Sequence, residues 1–185
     1  GSVSLAIRSV LAAVLTFVFF EVLPTFPVGV SEVHFILGST LFLILGAGPS
    51  AIGLALGLLI QGMFFSPSDL PQFAMNITTL LVPLFALTAM ARRIIAPDTA
   101  YVDLKYSQVL ALSVCYQGGV VAWVAFWAIY GMGSEALAPV GTFAIAYMAV
   151  IILEPLADLA VLAGAKALRG KTPSALVTPR LYSAS

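Results

Sequence analysis

The one histidine of this chain, His34, lies in FPVGVSEVHFILGS, where a polar loop runs into a long apolar stretch. Its imidazole is a borderline nitrogen ligand for a metal ion. One imidazole makes no selective metal site, so its companions decide what it does. Asn76, in DLPQFAMNITTLLVP, opens a later apolar run, and Gln61, Asp69 and Gln72 precede it. Glu21 and Glu32 flank the loop before His34, and such carboxylates make an entrance negative for a small cation. Plainer uses stand beside these. His34 can cap a helix or hydrogen-bond at a polar interface, Asn76 can be an N-cap, and Glu21 can face lipid headgroups.

Glu154 and Asp158 form a second polar group, four residues apart in EPLADLAVLAGAKALRG. That spacing puts both on one helix face, and neither can comfortably face lipid. A buried link to a neighbouring helix or a partner subunit is the leading use, and a proton or cation relay the alternative. Pro155 between them is a place for that helix to bend. No set of residues makes a nucleophilic triad. Cys115 is alone in an apolar segment and reads as a small packed hydrophobe. There is no phosphate-binding glycine loop and no zinc-protease motif, so neither ATP use nor hydrolytic chemistry is expected of this chain.

The elements that position these residues are membrane helices. Hydrophobic residues make up 61% of the 185, charged residues only 9%, and mean hydropathy is +1.09. A soluble domain carries roughly 25% charged residues, so lipid is the solvent here. Net charge is zero, which gives no attraction to nucleic acid. The opening GSVSLAIRSVLAAVLTFVFF has one arginine and no clear small-residue cleavage site, unlike a secretory leader.

Six apolar segments are expected, over 4–22, 33–47, 49–65, 75–91, 107–130 and 139–163, in a single all-α polytopic membrane bundle spanning 1–185. The second and third are short for a crossing and are separated by Gly46, Ala47, Gly48 and Pro49, which predicts a tight hairpin of two short helices. Gly53 and Gly57 are spaced for close backbone approach. Gln117, Gly118 and Gly119 predict a polar group or a close helix contact in mid-membrane. Trp123, Trp127 and Tyr130 read as packing and interfacial anchors. With six crossings, Arg8, Arg92, Arg93, Lys105, Lys166, Arg169 and Lys171 all fall on one side. The loops of the other side hold Glu32, Asp69 and Glu135 but no lysine or arginine, so both chain ends are expected in the cytoplasm.

The stretch FPVGVSEVHFILGSTLFLILGAGPSAIGLALGLLIQGMFF, with the following DLPQFAMNITTLLVPLFAL, resembles the membrane permease of cobalt and nickel energy-coupling-factor transporters, the CbiM/NikM family. The likeness runs from near Ser9 to about Asp158. It implies a seven-helix substrate-capturing subunit of the bacterial or archaeal inner or plasma membrane, importing Co²⁺ or Ni²⁺. Implied partners are a coupling transmembrane subunit, cytoplasmic ATPase subunits that hydrolyse the ATP, and a small accessory membrane subunit. No enzyme activity and no resident cofactor are implied for this chain. The family holds its metal through an amino-terminal Met-His and a later histidine, which His34 in SEVHFILG matches. Asn76 in FAMNITT matches a supporting asparagine, with Glu32, Glu21 and Gln61 as second-layer or entrance groups. This chain does not open on Met-His, so about 35–40 upstream residues, enough for one outward-starting helix and its loop, are expected before Gly1. The rival reading is a membrane scaffold or assembly subunit that keeps the packing without transport. A more distant one is an uptake subunit for an organic solute lined by Trp123, Trp127 and Tyr130.

Overall fold

The computed structural model describes residues 1–184. Six α-helices and one small hairpin make up the bundle. They are α1 (Ser2–Glu21), β1 (Phe26–Val28), β2 (Ser31–Val33), α2 (Gly38–Leu45), α3 (Ala47–Phe64), α4 (Phe73–Ile94), α5 (Tyr106–Met132) and α6 (Leu137–Ala167). Four continuous helical stretches are long and apolar enough to cross a membrane: Ser2–Glu21, Ala47–Phe64, Pro67–Ile94 and Tyr106–Ala167. The last of these contains both α5 and α6, joined by a 3-10 turn over Gly133–Ala136. The chain is a multi-pass, mostly helical membrane protein. Large side chains such as Ile145, Ile152, Phe85 and Leu156 point outward, as lipid-facing positions do in a bundle with no water to avoid.

One expectation is corrected. The second segment, 33–47, forms no continuous short helix. Its helix is α2, only eight residues, preceded by non-helical backbone at His34–Leu37. Residues 34–37 plus α2 could reach at most about 25 Å, at about 3.3 Å per extended and 1.5 Å per helical residue. Irregular backbone is tolerated at this depth only when protein covers it. Within this stretch Ile36 is buried and His34, Phe35 and Leu37 are half-buried, while six of the eight residues of α2 are buried. Leu37 makes the switch into helix with φ 52° and ψ 41°, a left-handed conformation that a bulky residue adopts only when its surroundings hold it. The sharp turn expected at Gly46 is present. That residue alone separates α2 from α3, at φ 92°.

The small-residue positions behave as expected. Gly53 and Gly57 of α3 lie against Ala12, Ala13 and Thr16 of α1, where a side chain would strike the α1 backbone. Gly119 of α5 sits on the ring of Pro83 in α4, 2.8 Å from where its Cβ would stand. Between β1 and β2 the two-residue turn starts with Gly29 at φ +62°, a geometry that suits the hairpin twist. The same glycine abuts the Pro139 carbonyl and seats the hairpin on α6.

The two ends of the bundle differ in charge. At one end the Arg8 guanidinium donates to the Leu45 carbonyl at 2.7 Å, and Thr178 N–H donates to Ile44 at 2.8 Å. There too Lys166 and Arg169 pair with Asp103, whose carboxyl these hydrogen bonds hold below its usual range. The carboxy-terminal stretch folds back across this end, burying Val177 and Leu181. Glu21, Glu32, His34, Asp69 and Asn76 gather at the other.

Candidate metal-capture site

A cavity of about 290 Å³ opens at the acidic end of the bundle. His34, Glu32, Gln61, Asp69, Gln72 and Asn76 all line it, so six residues from five parts of the fold meet around one space. The hairpin supplies Glu32, the irregular segment His34, α3 Gln61, the 3-10 turn Pro67–Gln72 contributes Asp69 and Gln72, and α4 Asn76. Asn76 is one turn inside α4, whose N-cap is Gln72, so its side chain serves the cavity and not the helix end. Glu21 ends α1 and is exposed, outside the cavity lining. Its charge still reaches His34.

His34 is held on three sides. Its ring lies against Phe20 at a centroid distance of 4.8 Å. Its backbone carbonyl accepts a hydrogen bond from the Tyr147 hydroxyl at 3.2 Å. Its Nε2 lies 3.2 Å from Glu32 Oε2. Burial lowers the imidazole pKa below its usual value, and Glu32, Asp69 and Glu21 pull the other way without reversing it. The ring is therefore neutral near pH 7, with one protonated nitrogen and one lone pair. Glu32 can only accept, so the proton belongs on Nε2. The Nδ1 lone pair is left buried without a hydrogen-bond partner. This is how histidine ligands are commonly prepared, with a carboxylate on one nitrogen and the other free.

Among the described residues no three His, Cys, Asp or Glu side chains converge to hold an ion. The arrangement is one nitrogen base amid amide and carboxylate oxygens, and His34 would share a metal with donors outside that set. The sequence reading missed the far wall, made of Val120 and Val124 from α5 and Phe143 and Tyr147 from α6. Nothing local marks an ordinary Val or Tyr as cavity-lining. Trp123 and Trp127 are not in that wall. Their indole N–H groups donate to Thr78 Oγ1 at 3.2 and 3.3 Å, and their rings pack on Phe126 and Tyr130.

Glu154 and Asp158 belong to a separate buried cluster. Ser39 Oγ lies 3.0 Å from Glu154 Oε1 and 2.6 Å from Asp158 Oδ2. Thr40 donates to Asp158 and Gln117 to Glu154. The pair thus ties α6 to α2 and α5, the link to neighbouring helices expected from its spacing. Gln117 is a fully buried polar group of α5.

No curated protein and no solved structure matches the chain. The family model of the cobalt uptake substrate-specific transmembrane region, CbiM, matches residues 4–171, nearly the whole bundle. The chain therefore belongs to the CbiM family of non-catalytic membrane transport components, permeases of cobalt and nickel uptake linked to cobalamin biosynthesis.

Proposed function

We propose that this protein captures Co²⁺ or Ni²⁺ at the acidic end of the bundle, with the His34 imidazole as a metal ligand. One observation carries the reading: a positioned imidazole, its Nε2 on Glu32 and its buried Nδ1 without a hydrogen-bond partner, lines a cavity rimmed by Glu32 and Asp69. The carboxylates concentrate cations at the mouth, and the imidazole selects borderline metals over Mg²⁺ or Ca²⁺. The further nitrogen donors are those of an amino-terminal Met-His, as the family pattern implies, and Asn76 and Gln61 stand as supporting hydrogen-bond groups. The metal is cargo. It enters at the acidic end, and the basic end faces the cytoplasm by the positive-inside rule. There a coupling transmembrane subunit and ATPase subunits supply the energy, with a small accessory membrane subunit assisting.

The test is calorimetric titration of nickel and cobalt into the full-length protein in detergent. His34→Ala is expected to weaken binding by more than about tenfold, since even an outer partner of a ligating histidine is worth that much. Unchanged affinity in a folded His34→Ala protein would sink the ligand assignment and leave a packing or assembly role.

A further inference from the structure

The carboxylates of Glu154 and Asp158 are 0% and 1% exposed, in the middle of a helix surrounded by lipid. No lysine, arginine or histidine reaches them among the described residues. The titratable groups that face Glu154 are Asp158 and the phenols of Tyr116 and Tyr147. Two bare anions in such a place would lack any countercharge.

The hydrogen-bond geometry counts the protons. Ser39 Oγ touches one oxygen of each acid, yet a hydroxyl has a single hydrogen to donate. The shorter contact, 2.6 Å to Asp158 Oδ2, takes that hydrogen. The 3.0 Å contact to Glu154 then needs a hydrogen from the glutamic acid itself. Asp158 receives a second hydroxyl hydrogen from Thr40, so each of its oxygens accepts a hydroxyl hydrogen bond, an arrangement that suits the ionised form. Glu154 also faces the Gln117 amide, whose Oε1 is buried without a partner. Turned over, that amide offers an acceptor for the alternative placement of the proton, on Oε2 instead of Oε1.

The remaining single negative charge has a counterpart. The first backbone bond of α2 runs from Leu41 N–H to the Leu37 carbonyl, so the N–H groups of Gly38, Ser39 and Thr40 have no partner within the helix. The positive end of this half-helix therefore lies where Ser39 and Thr40 meet the acids, and the Ser39 N–H itself donates to Glu154, whose protonated form still accepts through its carbonyl oxygen.

We propose that Glu154 and Asp158 form a one-proton site, a neutral acid at Glu154 and a carboxylate at Asp158, which clamps the start of α2 onto α6. Because α2 begins four residues after His34, the same clamp sets the segment that carries the imidazole into the cavity. The site stands whether or not His34 binds metal.

Infrared spectroscopy of the full-length protein in lipid near neutral pH reads the proton directly. The expected result is one protonated-carboxyl carbonyl band, separate from the carboxylate bands, that is shifted in D₂O and lost in Glu154→Gln. Stability supplies a second, asymmetric readout. Gln at 154 has the donor and acceptor of a protonated glutamic acid, so Glu154→Gln keeps the thermal midpoint within about 2 °C. Asn at 158 turns an N–H₂ toward a hydroxyl donor and removes the charge at α2, so Asp158→Asn lowers the midpoint by about 5 °C or more. Absence of the band from the wild-type protein, or its survival in Glu154→Gln, overturns the proposal. So does a Glu154→Gln protein destabilised as much as Asp158→Asn.

Discussion

Replacing Glu32 by Gln keeps the side chain's length and removes its charge from His34. A carboxylate behind a ligating histidine fixes the tautomer and raises the basicity of the metal-facing nitrogen, an effect worth roughly 10–100-fold in affinity. The structure puts Glu32 at the low end of that range. Its 3.2 Å contact is longer than the ~2.7–2.9 Å of a strong charge-assisted bond, and its side chain is 56% exposed. Glu32→Gln should therefore weaken nickel or cobalt binding about tenfold near pH 7, or about 1.4 kcal/mol. Burial lowers the pKa of His34 and Glu32 acts against that, so removing Glu32 lowers it further. Protons then compete less with metal on acidification, and the loss in Glu32→Gln should shrink toward about pH 5.5. Calorimetric titration of the full-length wild-type and variant proteins at both pH values measures this. An affinity within twofold of wild type near neutral pH, or a deficit that widens in acid, refutes the role given to Glu32.

Other outcomes follow from single contacts. Tyr147→Phe removes the hydroxyl that holds the His34 carbonyl, a bond worth about 1 kcal/mol, so metal binding should weaken by no more than about fivefold in the same titration. Gly53→Ala would place a methyl 2.6 Å from the Ala12 carbonyl carbon and 2.8 Å from Ala13 N, and backbone cannot rotate away; a loss of about 1–3 kcal/mol is expected by thermal unfolding. Gly118→Ala is the control, since its added methyl meets nothing within 4 Å, and a helical Gly→Ala change there should gain about 0.5–1 kcal/mol. The Asp103 carboxyl is held below its usual pKa by Lys166 and Arg169, so its contribution is present above the unfolded value of about 3.9 and fades as pH falls through the lower folded one. Asp103→Asn should remove it at every pH and speed limited proteolysis near 168–182; an unchanged cleavage rate would deny the ion pairs any part in holding that stretch.

Much of this protein was legible in one dimension because lipid imposes one-dimensional rules. A hydrocarbon slab demands long apolar runs with internally satisfied backbones, so composition and run length alone located α1, α3, α4, α5 and α6. Small residues at four-residue spacing marked the α1–α3 contact, because only a missing side chain lets backbones approach. Charge sorting divided His34, Glu32, Asp69 and Asn76 from Arg8, Arg92 and Lys166, and the folded chain keeps those groups at opposite ends. The partners of Glu154 and Asp158 were beyond the sequence, since Ser39 and Thr40 lie more than a hundred residues away in the chain and carry no local mark. The break at Leu37 was equally hidden. An apolar run reads as helix, and contacts within the bundle, with Ile36 buried and its neighbours half-buried, let 34–37 stay irregular. His34 shows the division most clearly. Its residue type set the chemistry, but which nitrogen is free was decided by Glu32 on one side and by burial on the other, and both are properties of the folded chain.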